Sequence, residues 1–421
     1  MKKDHSCEEY EHLSRRGFLG ASAAAGAASL LFPRTVFAQG TRRGLQRPCL
    51  VGIFLRGAMD GLSVVVPHGD ANLYSLRPSL AVPAPGAANG ALDLDGYFGL
   101  NPNASGLLTP FQSGGLAFVH ACGSPDPTRS HFDAMRSMEL GQPDQPATTV
   151  TSGWLARHLQ AVSPAGNGSL RAVALDQLLP RVLAAAPATL PIRDPADFAF
   201  PGDPTSAAAR RTAIANAYAG TIPPLAPAAA ASLDSIDLLE TANFEGYVPA
   251  NGAVYPASPF GTVMRNTAAM IKADIGLEVV HHDYGGWDHH DDQGPLDGTL
   301  AGMLSNLSAA LEAFHLDMQG MEDRYVLYAK SEFGRRAAEN GSGGTDHGSG
   351  GLMMVMGRGV QGGQVHGPWP TLAPTALDEG DLRVETDYRD VLAEILTAGV
   401  GGSDLGFVFE GHVPTPIGVV L

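Results

Sequence analysis

The chain has 421 residues and carries 27 Lys and Arg against 43 Asp and Glu, a formal net charge of −16. This acid excess excludes the basic face that nucleic acid or an anionic membrane surface requires. Hydrophobic residues make up 44%, a globular composition, and 52 Gly with 31 Pro place much of the chain in loops. Three Cys are too few for a disulfide scaffold.

The length suits one large α/β domain with insertions, or two domains. At the amino end, Ser14-Arg15-Arg16-Gly17-Phe18-Leu19 leads into an apolar run from Ala21 to Phe32, and Val36-Phe37-Ala38 reads as a cleavage site. Residues 1–38 are therefore expected to be a twin-arginine export signal, with the export machinery as partner and the periplasm or exterior as destination. Gly20 stands where such signals often carry Lys. The run is too short and too rich in Ala for a stable membrane span. Residues 39–421 are left as a single domain. Of its two Cys, Cys49 and Cys122 either pair in an oxidising periplasm or stay as buried thiols.

Five apolar runs follow in chain order: Cys49–Leu55, Leu116–His120, Leu277–Val280, Tyr325–Ala329 and Leu352–Met356. They are continuous rather than alternating, as strands covered on both faces should be. Ser130–Leu140 reads as a helix. Residues 180–265 are rich in Ala and Pro and are expected to be mostly helical insertions or a cap. Leu300, Met303, Leu304, Leu307, Leu311, Phe314 and Met318 recur at helical spacing, a crossover between the third and fourth strands. Asp387–Ala398 reads as a further helix, closed by Gly399 or Gly401.

Each strand ends in polar residues, and in open α/β sheets sites form at the carboxyl ends of strands. Those ends collect Asp60, Ser130, His131, Asp288, His290 and Glu332, with Asp346 and His347 in a Gly-rich loop beyond. Carboxylate and imidazole together suit Zn, Mn or Fe. Asp60 is otherwise a turn former, Ser130 a helix cap, and Glu332 a partner for Arg335 or Arg336. Between Lys272 and Arg324 there is no Lys or Arg, while eleven acids occur, which points to this stretch as the place for a cation.

Five motifs carry a resemblance over almost all of residues 39–421. FLRGAMDGLSVVVP, GSPDPTRSHFDAM, YGGWDHHDDQ, YAKSEFGRRAAENGSGGTDHG and TDYRDVLAEIL occur in the order found in the DUF1501 family, and the chain resembles that family. The family is grouped with the alkaline-phosphatase-like superfamily. The resemblance implies a mixed, largely parallel sheet sandwiched by helices and a site of up to two metals. Asp60 would match the first ligand, Ser130 the nucleophile, and Asp288 with His290 the middle pair. Two departures stand out. Asp288 and His290 are two residues apart where the superfamily usually has four. Glu332-Phe333 occupies the strand end where an Asp-His pair is usual, and Asp346-His347 follows fourteen residues later. Either Glu332 took over as ligand, or the loop folds Asp346-His347 back in, or both. His366 could supply a late ligand or sit in a plain loop.

The expected function is an exported, Zn- or Mn-dependent hydrolase of phosphate or sulfate esters. Ser130 would be the nucleophile, Arg129 and Arg335 would bind the substrate's oxygens, and His131 or His347 would move a proton. The rival is a non-catalytic periplasmic binding or assembly protein that keeps the fold.

Overall fold

Cys49–Arg56 (β1) is buried along its length on both faces, apart from Arg56 at its end. The computed structural model describes residues 47–143, 150–166, 168–198, 200–221 and 225–421. The export signal read in residues 1–38 lies outside these described residues.

β1 sits in a sheet of nine described strands. The others are Leu116–Gly123 (β2), Ala172–Ala174 (β3), Thr189–Pro191 (β4), Val279–Gly285 (β5), Tyr325–Lys330 (β6), Gly351–Gly357 (β7), Val365–His366 (β8) and Thr386–Asp387 (β9). Their order is β8-β2-β7-β6-β1-β5-β3-β4, with β9 also pairing β2. All of these pairings are parallel except those of β7, which is antiparallel to both β2 and β6. The fold is thus α/β with a mixed, largely parallel sheet.

Helices cover both faces. Pro259–Lys272 (α5) and Thr299–Asp317 (α6) pack with Val51, Ile53 and Leu55 of β1. Trp154–Ala161 (α2) and Tyr388–Glu394 (α7) pack with Leu50 and Phe54 on the opposite face. The alternation along β1 splits its side chains between two cores, as a pleated strand must. His131–Leu140 (α1) follows β2, and Ser130 is its N-cap.

Three stretches differ from the sequence expectation. The third apolar run begins later and runs further, from Val279 to Gly285. Its partner β1 continues the ladder to Arg56↔Gly285, so His281, His282 and Asp283 lie on the strand rather than in a loop. Residues 180–265 hold the helices Ala207–Ala219 (α3) and Leu225–Thr241 (α4), but also strand β4 and the first turns of the core helix α5. The start signal of α5 was in the sequence: Ser258 caps it and Pro259 takes the first helical position. Last, the helix at 387–398 is α-helical over Tyr388–Glu394 and widens into a π-turn at Ile395–Gly399.

Cys49 and Cys122 are both free and buried. They lie in different cores on opposite faces of the sheet, on strands separated by β6 and β7. The fold therefore rules out the bridge left open above, and burial pushes both thiols well up from their ordinary range. No helix among the described residues is long and apolar enough to cross a membrane.

Reductant is expected to leave the thermal unfolding midpoint unchanged. Loss of a native bridge would cost about 2–5 kcal/mol and lower the midpoint by several degrees. Calorimetry with and without dithiothreitol checks this, and a lower midpoint in reductant would restore the bridge.

Candidate functional site

The carboxyl ends of β1, β2, β5 and β6 share one edge of the sheet. β7 runs the other way, so its amino end lies at that same edge. This brings the loop before β7 onto the loop after β6. Arg335 and His347 form an antiparallel bridge. Around it, Gly334 N–H donates to Ser349 O at 2.9 Å and Gly348 N–H to Gly334 O at 3.0 Å. A Cβ on Gly334 would collide with the Gly350 carbonyl, so this hairpin needs Gly there. The two options posed by the spacing of Glu332 and Asp346-His347 thereby have an answer: the loop folds back.

Four side chains converge. His131 Nε2 is 3.4 Å from Asp288 Oδ2, and His347 Nε2 is 3.2 Å from Asp288 Oδ1. His290 Nε2 is 3.0 Å from the same Oδ1 and 2.9 Å from His347 Nε2. Ligand-capable atoms of His131, Asp288 and His347 all lie within 4.8 Å of one another.

The tautomers follow from the other side of each ring. His347 Nδ1 meets the Arg129 carbonyl at 2.8 Å, and a carbonyl can only accept, so that nitrogen carries the proton. His131 Nδ1 meets Glu332 Oε1 at 2.6 Å, and His290 Nδ1 meets Asp346 Oδ1 at 3.3 Å. His347 therefore turns an Nε2 lone pair toward Asp288, while His131 and His290 each face a carboxylate at both ring nitrogens. The Nε2 atoms of His290 and His347 are 2.9 Å apart, a separation that a proton or a cation must bridge.

The charges respond to this crowding. Burial opposes ionisation of Asp288, but His131, His290, His347 and Arg335 outweigh it and hold the carboxyl far below the usual range. Burial also opposes a charged His131, yet Asp288 and Glu332 raise the imidazole to about 9. Asp288 raises His290 in the same way. Without a metal, a proton fills the role. Imidazole nitrogens and one carboxylate are a donor set that could hold a divalent transition metal.

Glu332 and Asp346 stand one step outside. Fully buried Glu332 accepts from the Gly57 N–H at 2.8 Å and orients His131, while Asp346 accepts from Asn340 at 3.1 Å and orients His290. Both were expected as ligands; the structure makes them the carboxylates behind the histidines. His131, expected to move a proton, lies against Asp288 and His347.

Asp60 is corrected outright. It forms a bidentate pair with Arg77, at 2.6 and 3.0 Å, and accepts from Ser63 and Gln293 as well. Its oxygens are taken, and a metal there would have to displace a buried guanidinium. Burial raises its pKa, but Arg77 outweighs this and holds the carboxyl below its ordinary value. Arg77 and Gln293 were not anticipated: Arg77 lies outside the five motifs, and Gln293, at the end of the third, is a neutral amide whose partner Asp60 is remote in sequence.

Arg335 is corrected too. It is 2% exposed and reaches the carbonyls of Gly57, Ala58, Trp287 and Thr345, and Asp288 Oδ1 at 2.6 Å. It holds loops, not substrate. Arg129 remains available: one nitrogen pairs with buried Asp381 at 2.8 Å, and the side chain is 36% exposed. Ser130 Oγ accepts from Asp133 N–H at 3.5 Å, a long contact that commits the hydroxyl weakly. His366 lies on β8, bonded to the Gln361 carbonyl, and is not part of the group.

The DUF1501 pattern matches residues 111–405. The chain belongs to the DUF1501 family. That family is described as proteins of unknown function, and no curated protein matches the chain. Among solved structures, the crystal structure of Ps i-CgsB is similar at 11% identity and a TM-score of 0.36. The match covers 87% of this chain and 75% of that one.

Arg335→Met is expected to lower stability by about 3 kcal/mol, since it strands buried carbonyls and takes the guanidinium from half-buried Asp288. A urea midpoint equal to that of the unaltered chain would contradict the role given to Arg335. The Asp60–Arg77 pair adds a pH effect. Because the folded carboxyl is depressed, its stabilisation is present above about pH 4 and is lost as pH falls through the folded value. Asp60→Asn is therefore expected to be less stable at neutral pH and to lose less on acidification. Parallel urea titrations from neutral to acidic pH read both effects.

Proposed function

We propose that this DUF1501 chain is an exported, metal-dependent hydrolase of phosphate or sulfate esters with an alkaline-phosphatase-like arrangement. One observation carries the reading. Three histidines each bind an oxygen through Nδ1 and turn Nε2 toward one carboxylate, so the site is built for a cation. The order of the five motifs and the position of the group at the carboxyl edge of a largely parallel sheet support the architecture.

His131, Asp288, His290 and His347 would hold the metal, Zn or Mn. When bound it supplies Lewis acidity and offsets charge on the transferring group. Arg129 binds the ester's non-bridging oxygens. Ser130, at the start of α1 where backbone N–H groups favour an anion, attacks the phosphorus or sulfur atom. The ester's alcohol leaves with the serine proton. Water then cleaves the seryl ester, freeing phosphate or sulfate and restoring Ser130. Export follows from the Arg15-Arg16 signal, which directs the folded chain to the periplasm or beyond.

A second reading draws on Asp60. Its closure by Arg77 leaves one cation position where the superfamily has up to two. A binding or assembly protein that kept one metal for structure fits that observation, and it would bind metal without turnover.

The mature protein, purified without chelator, is expected to hold about one equivalent of transition metal, with Asp288→Asn empty. Glu332→Gln is expected to weaken metal binding about 10- to 100-fold by disordering His131. Chromogenic phosphate and sulfate esters then separate the two readings. Ser130→Ala as a lost cap costs about 1 kcal/mol and spares turnover; as a lost nucleophile it abolishes turnover. Less than stoichiometric metal would remove the metalloenzyme.

A further inference from the structure

The charges around the cluster can be counted, because the ion pairs that bind them are defined. Four carboxylates belong to the network: Asp288, Glu332, Asp346 and Asp381. Three guanidiniums face them: Arg335 on Asp288, and Arg129 and Arg336 on Asp381. With the histidines neutral as ligands, the network is one unit negative. A divalent cation on Asp288 makes it one unit positive.

The disposition of these guanidiniums matters as much as their number. Arg335 points into the loops and cannot turn outward without stranding four carbonyls. Arg336 lies against Asp381 at 3.8 Å and the Glu379 carbonyl at 3.1 Å. Lys330 also faces Glu332, but with Arg56 it is balanced by Glu139 and Asp283, and Arg77 is neutralised by Asp60. Arg129 and Arg336 are about equally exposed, at 36% and 35%, but it is Arg129 whose carbonyl holds His347 and which Ser130 and His131 follow. Asp381, fully buried and also bonded to Ser349, fixes one Arg129 nitrogen and leaves the others for a ligand.

We infer that the site selects a singly charged tetrahedral ester, a sulfate monoester or a phosphate diester, over a doubly charged phosphate monoester. This inference rests on the hydrolase reading and narrows its substrate class. One negative charge on the ester makes the loaded network neutral. Two would leave an uncompensated charge beside Glu332 and Asp288, where low exposure strengthens the repulsion. The α1 amino terminus contributes about half a charge, which does not offset a second unit. Asp381 is a positioning residue that sets this preference through Arg129.

The test is equilibrium binding to the metal-loaded protein, with no turnover involved. Three probes share a phenyl group: benzenesulfonate and methyl phenylphosphonate, each singly charged, and phenylphosphonate at a pH where it is doubly charged. Both singly charged probes are expected to bind about tenfold or more tightly than the doubly charged one. Asp381→Asn removes one negative charge from the network and is expected to narrow this gap. Arg129→Ala is expected to weaken all three probes. Tighter binding of phenylphosphonate would overturn the charge inference and leave the hydrolase reading standing. If the metal-loaded protein bound none of the three, the anionic-ester reading itself would fall, and the inference with it. A preference for benzenesulfonate over methyl phenylphosphonate assigns the sulfate source, and the reverse assigns the diester.

Discussion

The Arg335 guanidinium is the contact on which the site depends. It lies under the loops that follow β1, β5 and β6 and touches all of them through backbone carbonyls. Loops rich in Gly expose many unpaired carbonyls, and buried carbonyls need donors. A planar group with five N–H donors can serve several at once. The same guanidinium reaches Asp288, so the scaffold of the loops and the carboxylate at the centre of the histidines are fixed by one side chain.

Around that anchor, buried and half-buried ions come in partnered sets. Asp60 takes Arg77, Glu278 takes Arg171, Asp283 takes Arg56 and Asp317 takes Lys272. Each arrangement matches the rule that charge leaves water only in company. The histidine group is different. Three imidazole rings and a carboxylate face inward on each other, and Glu332, Asp346 and the Arg129 carbonyl hold them there from behind. That asymmetry separates the histidine cluster from the ion pairs beside it.

The acidic stretch between Lys272 and Arg324 shows how far sequence reading goes. Its lack of Lys and Arg suggested one place for a cation. In the fold, Asp274, Glu278, Asp283 and Asp317 meet basic residues at or beyond the stretch's borders, and Asp288 is the member that enters the histidine group. The His-rich run divides likewise. His281 and His282 stay on β5, while His290 crosses to His347. Charge density along a chain says little about charge density in space, because long-range pairing is set by topology.

The sequence by itself determined the α/β layers, the main strands and the helices α1 and α6, because continuous apolar runs and 3.6-residue periodicity are local properties. It also determined that the polar residues would gather at strand ends, and it placed His131, Asp288, His290 and His347 among the candidates. Tertiary structure decided which candidates meet. The reversal of β7 brings His347 to His131, and nothing in the residues near His347 encodes the direction of that strand. Tertiary structure also moved Asp60 and Arg335 from chemistry to scaffolding, since a carboxylate's role depends on whether a guanidinium distant in sequence reaches it first.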